Sequence, residues 1–244
     1  EKLRQAAIDI LMQHPEWAAD AGTLLQKWLS APSLSEMQRA AVPSLIVAFQ
    51  DQSDMQRFVG TMLRMQTLPS NQLVLLLRSL GQCSLGDLPR SWIDGLSEAT
   101  RHSDADVQRA AVQTAAKLQI RELDPALTDF SKRSDVPMPL RVAALGAVAG
   151  REQGLSDPAF KLLCGQIDKR AKPLARLAAA EVLGRAQLTD SQLMILLQQM
   201  PDDPLIWPQL LPAYRHSNSL EVGLRLVELL EKLVQSDSLR PSEA

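Results

Sequence analysis

The sequence predicts an all-α protein, a right-handed α-α superhelix of about seven helix pairs. Three observations carry this. A phrase of the form x-Arg/Gln-x-Ala-Ala recurs every 33 to 35 residues. Apolar residues recur at helical spacing throughout, and nothing alternates with period two over a useful length. Helix-start chemistry falls between the apolar segments, where it belongs. A fixed period of this length comes from stacked units, because one helix pair cannot bury its own apolar face and must share it with neighbours.

The register position of the phrase falls at 4, 38, 108, 141 and 176. The fullest copy runs from Ala175 to Gly184, and the others are Leu3–Ile8, Met37–Val42, Val107–Val112 and Leu140–Leu145. The gap between 38 and 108 leaves room for one degenerate copy near Leu73, which ends in Leu80-Gly81 as the fullest ends in Leu183-Gly184. Each period reads as two helices, and the second carries the phrase. Second helices are predicted over 2–13, 35–50, 70–81, 104–119, 138–150, 172–187 and 204–216. First helices are predicted over 18–30, 54–66, 89–101, 123–133, 157–169, 190–200 and 219–236.

Local chemistry supports these boundaries. Ser35 with Gln38 forms a capping box, and Ser70 with Leu73 forms part of one. Asp124-Pro125, Asp157-Pro158 and Asp203-Pro204 each place an N-cap acid before a proline at the first helical position. There the missing N–H costs nothing and the carboxylate meets the helix's positive end. Pro43 lies inside a predicted helix and should bend it; Pro208 and Pro212 should distort the last copy, as expected of a terminal, capping repeat. Leu224, Val227, Leu230 and Val234 keep helical spacing in the last first helix. The reading is thus one solenoid domain over 1–236 and a frayed polar tail over 237–244.

Composition narrows function. The apolar share is 45% and the aromatic share 4%, suited to close helix packing around Ala and Leu. Basic and acidic residues number 26 and 28. Their balance gives no bulk electrostatic footprint for nucleic acid or an anionic membrane. The longest aliphatic run is Leu73–Leu77, far short of a membrane span. No signal peptide opens the chain, and Glu1 starts inside a helical repeat, as expected of a piece cut from something longer. Cys83 and Cys164 stand alone and read as small buried hydrophobes.

No catalytic constellation emerges. His14, His102 and His216 sit near predicted helix ends at no metal-binding spacing. Asp104/Asp106 and Asp202/Asp203 sit ahead of helices, where capping accounts for them. There is no Gly-rich phosphate loop and no Gly-x-Ser-x-Gly. No cofactor or metal is expected. Tyr214-Arg215-His216 is a polar cluster that reads as a helix end. What remains is surface. The second helices are expected to line the inner face of the superhelix, with Arg39, Arg78, Arg109, Lys117 and Arg185 as its contact points.

The fuller wording x-Arg-x-Ala-Ala-x-x-x-Leu-Gly, clearest at 104–118, 138–150 and 172–187, resembles the HEAT-repeat family of α-solenoids. That resemblance implies a structural ladder of turn aspartates and helix arginines, here Asp135, Arg141 and Arg176, broken where Gln38 and Gln108 replace arginine. The segments Pro173–Leu193, Pro204–Tyr214 and Glu221–Leu230 resemble more specifically the helical middle of large haem-binding, dehydrogenase-type proteins of planctomycetes and verrucomicrobia. The implied role is an interaction or interdomain scaffold in an exported redox protein, non-catalytic in itself, since the chain has neither CxxCH nor a propeller pattern. Its implied partner is a protein, such as another domain of the same parent chain, not nucleic acid or membrane. The alternative is a HEAT-like DNA glycosylase acting on alkylated bases, for which Trp207 beside Asp203 is the local signal. A groove dominated by Arg and Lys would favour that enzyme; a mixed-sign groove would disfavour it. A chaperone or bilin-lyase-like HEAT protein is a third reading, with no specific residue behind it.

Overall fold

The computed structural model describes residues 6, 8, 10–151, 154–199 and 206–235. Among them every regular element is helical and none is a strand. The start of the first phrase at Leu3–Gln5, the Asp203-Pro204 pair and the tail 237–244 lie outside the described residues. The chain divides into two compact units, Glu1–Leu127 and Thr128–Ala244.

The first unit contains α1 (Ala18–Leu29), α2 (Glu36–Ala48), α3 (Ser53–Leu63), α4 (Ser70–Leu80), α5 (Arg90–Ala99) and α6 (Ala105–Lys117). Each lies within two or three residues of the range its apolar spacing predicts. Packing skips one helix. α1 lies against α3 and α3 against α5; α2 lies against α4 and α4 against α6. First helices therefore neighbour first helices, and second helices neighbour second helices.

Small residues set the closeness of these contacts. At the α3–α5 seam, a Cβ on Gly60 would sit 2.6 Å from Ser91 Cβ, and one on Gly95 would sit 2.5 Å from Leu63 Cβ. Each glycine thus leaves room for a side chain of the facing helix. The buried Trp92 of α5 fills the same seam and donates its indole N–H to the Gln56 carbonyl at 2.9 Å. At the α4–α6 seam, Ala110, Ala111 and Ala115 are buried, and the Thr114 hydroxyl donates to the Leu77 carbonyl at 2.8 Å. These two bonds span 36 and 37 residues, one repeat period.

α7 (Asp124–Lys132) leads into the second unit, which holds α8 (Met138–Val148), α9 (Asp157–Gln166), α10 (Pro173–Arg185), α11 (Asp190–Gln199), α12 (Trp207–Leu210) and α13 (Leu220–Gln235). α10 lies against α8, α9 and α12, while α11 lies against α9 and α13. Gln192 of α11 donates to the Leu155 carbonyl at 3.0 Å and to Asp157 at 2.9 Å, again about one period away. Pro208 and Pro212 distort the last copy as expected. α12 stops after four residues and the chain continues as a 3₁₀ helix over Leu211–His216. Pro43, in contrast, is carried inside a continuous α2.

Ala144 and Ala179, each the second alanine of the Ala-Ala pair in its phrase, are fully buried. Ala144→Leu or Ala179→Leu should overpack the second-helix seam and cost about 1–3 kcal/mol. Thermal melts unchanged in both variants would contradict this register.

Helix starts repeat the expected chemistry with three corrections. The Ser35 capping box is complete: Gln38 N–H donates to Ser35 Oγ at 3.2 Å, and Ser35 N–H donates to Gln38 Oε1 at 2.9 Å. Ser70 does not cap α4, whose N-cap is Pro69. Asp124 is not an N-cap either: it is helical, the first residue of α7 directly after a 3₁₀ turn over Arg121–Leu123. Asp157 is the first helical residue, not the N-cap; Ser156 holds that place, and the Asp157 carboxylate turns to Gln192 instead. A second full capping box, Thr189 with Gln192, opens α11. Its Thr-x-x-Gln spacing was visible in the sequence and was missed.

Candidate docking groove

Three register residues of the phrase, Gln108, Arg141 and Arg176, turn inward, toward their own repeat. The Gln108 amide donates to the His102 carbonyl at 2.7 Å, Arg141 Nε donates to the Ser131 carbonyl at 2.6 Å, and Arg176 Nε reaches the Ile167 carbonyl at 3.4 Å. Each acceptor lies at the end of the preceding first helix or in the turn after it, where carbonyls lack an intrahelical partner. The long polar side chain therefore clasps one helix end to the next helix's start, and a glutamine serves as well as an arginine. Asp135 takes its ion pair from Arg133, two residues before it. The expected Asp135–Arg141 ladder thus takes another form: Arg141 answers a helix end. Gln108, Arg141 and Arg176 thus bond within the fold.

The exposed arginines of the second helices are different. Arg39 of α2 and Arg78 of α4 line one groove of about 590 Å³ in the first unit. Leu34, Val74 and Leu75, all half-exposed, give it apolar floor. Ser70 and Asn71, at the start of α4, and Asp104 and Asp106, at the start of α6, complete the wall. The size suits a ligand group or a short stretch of chain.

The two acids in this wall are already engaged. Asp104 caps α6 by accepting the Asp106 N–H at 2.8 Å. That bond, then the Ser70 hydroxyl, holds its carboxyl below the usual aspartate range. Asp106 is paired with Arg109 at 2.6 Å along its own helix. Among the described residues Arg39 and Arg78 make no ion pair or side-chain hydrogen bond, although other exposed arginines, such as Arg57, Arg90 and Arg225, find an acid three or four residues away. The groove therefore presents two guanidinium groups beside satisfied acids and half-open apolar residues.

Of the five expected contact residues, the structure brings Arg39 and Arg78 together and sets Arg109 one residue pair behind the wall. Lys117 lies exposed at the far end of α6. Arg185 belongs to the second unit, where it meets Glu181 at 3.8 Å and the Gly146 carbonyl at 3.4 Å.

The second unit has a cleft of about 1670 Å³ between α9 and α11, lined by Lys161, Lys169, Arg170 and Ile195 among others. Cys164 lies in it, with its thiol pushed up to about 11 by burial. Cys83 is likewise raised to about 11 by burial, so neither sulfur is an activated nucleophile. Tyr214 is buried, and burial pushes its hydroxyl well up; Arg215 and His216 beside it are exposed. Among the described residues no three His, Cys, Asp or Glu side chains are grouped to hold a metal ion. No helix among them is long and apolar enough to cross a membrane.

Comparison with family models, curated proteins and solved structures finds no match to this chain.

Proposed function

We propose that this chain is a non-catalytic interaction module of HEAT-like repeats, whose second-helix face receives a segment of another protein domain. The observation that carries the reading is the first-unit groove, where Arg39 and Arg78 stand without acid partners among the described residues, beside half-exposed Leu34, Val74 and Leu75. Three features support the HEAT-like plan: the 33 to 35 residue period, packing that skips one helix, and side-chain bonds that span one period. Stacked units of this kind extend a binding face along successive second helices, in a right-handed superhelix. A parent protein of the exported haem-dehydrogenase type would use such a face to hold its domains together. The mixed-sign wall favours a protein segment over a nucleic-acid backbone, which needs several phosphate contacts in a row. Trp207 is buried, not presented to a base, and Asp203 lies outside the described residues.

A photo-crosslinking amino acid at Leu75, in the groove, tests this against one at Asp54, on exposed α3. The expected result is a single protein adduct at Leu75, mapped by mass spectrometry to one segment, and none at Asp54. Equal labelling at both positions, or none at either, would sink the reading.

A further inference from the structure

We propose that the turn before α10 is a contact for an anionic lipid surface, in which Leu174 enters the headgroup layer and Lys161, Lys169, Arg170 and Lys172 meet the lipid anions. This contact is separate from the first-unit groove and goes beyond the docking reading.

The start of α10 breaks the chemistry that other helix starts keep. Four residues before the register position, α6 has Asp104 as its N-cap, and two before it has Asp106. α10 has Lys172 and Leu174 at those places. Lys172 makes no capping bond, and the first turn of α10 holds no acid. A cation there meets the positive end of the helix, which disfavours it. Leu174 is 81% exposed, more than any other large apolar side chain among the described residues. Helix stability therefore explains neither residue, and local rules broken without a structural gain mark function.

Charge around the leucine is one-sided. Lys169, Arg170 and Lys172 are exposed in this one turn, and Lys161 joins Lys169 and Arg170 in the lining of the adjacent cleft. None of the four has an ion pair among the described residues. The acids in the same lining are Asp157 and Asp168, so the cations outnumber them. The whole chain has more acids than bases, so this excess of positive charge is local. The turn is also held in shape. Asp168 accepts the Arg170 N–H on its carboxylate at 2.8 Å and the Ala171 N–H on its carbonyl at 2.9 Å. Pro173 fixes the backbone where the helix begins. An anionic leaflet attracts each Lys or Arg close to it, and an apolar side chain beyond those charges is buried at the acyl boundary. A nucleic-acid backbone has no apolar layer for a protruding leucine. The contact is peripheral, since no described helix can cross a membrane.

Flotation of the full chain with vesicles of two parts phosphatidylcholine to one part phosphatidylserine tests this. The expected result is binding to these vesicles, none to pure phosphatidylcholine, and a fall as salt is raised. Lys169→Gln/Arg170→Gln/Lys172→Gln should weaken binding at least tenfold, and Leu174→Ser by about fivefold. Lys27→Gln/Arg57→Gln/Arg90→Gln makes the same change in net charge at exposed positions of the first unit and should leave binding unchanged. A nitrobenzoxadiazole dye on Leu174→Cys, with Cys83 and Cys164 replaced by alanine, should brighten and shift to the blue on the anionic vesicles. Equal binding to pure phosphatidylcholine, or equal losses in the two triple variants, overturns selection by this turn. Binding that ignores Leu174→Ser and leaves the dye unchanged overturns the bilayer as the source of the anions. Absence of flotation with either vesicle overturns the proposal.

Discussion

Replacing Trp92 by alanine should lower the stability of the first unit by about 3–5 kcal/mol, as expected for a large buried aromatic. Trp92 is fully buried in the seam where α5 meets α3. Its loss leaves a cavity between two helices that Gly60 and Gly95 already bring close together, so they have little freedom to close further. It also removes the indole N–H from the Gln56 carbonyl. Circular dichroism should show the melting temperature falling on the order of 10 °C. Hydrogen exchange should place the loosening in residues 53–117. Trp92→Phe keeps most of the volume and drops only the hydrogen bond, so about 1–2 kcal/mol is expected. A melt of Trp92→Ala within two degrees of the parent would show that this seam is not packed as described.

In the second unit the largest effect is expected from the smallest change. Gly184→Ala adds one methyl group at a buried position of α10. A Cβ there would overlap the carbonyl oxygen of Gln209 and lie 2.9 Å from its carbonyl carbon. Both atoms are backbone, so no side chain can swing aside; α10 and the start of the distorted last copy must separate. Overpacking of this kind costs about 2–3 kcal/mol. The same substitution at Gly165, where a Cβ would meet nothing, is the control and should be neutral or slightly stabilising. Equal melting temperatures for the two variants would contradict the close approach of α10 and α12.

These two sites show what a sequence can and cannot give. Helix extents were legible because their signals are local: α4 was expected at 70–81 and runs Ser70–Leu80, and α6 was expected at 104–119 and runs Ala105–Lys117. Gly184 was legible only as the end of a phrase. That it lies under a backbone carbonyl 25 residues away depends on how α12 folds around its prolines, which no local pattern states. The register residue misled for the same reason. Its recurrence was visible, but Arg141 and Gln108 reach carbonyls fixed by the angle between two helices. The groove was half legible. Arg39 and Arg78 stood out as exposed positions on second helices, whereas Asp104 and Asp106 were read as caps alone. Capping accounts for Asp104, yet the start of α6 also walls a groove begun on α2, a placement that follows from stacking and not from spacing.

The central claim is that α2, α4 and α6 lie side by side in that order, making the face in which the groove is cut. A spin-label distance measurement between Ser44 on α2 and Gln113 on α6, both exposed, tests it most directly, with Cys83 and Cys164 replaced by alanine. Two interhelix spacings separate these helices, so the distribution should centre at about 20 Å. A distribution centred near one spacing, about 10 Å, would put α2 directly against α6 and contradict the account.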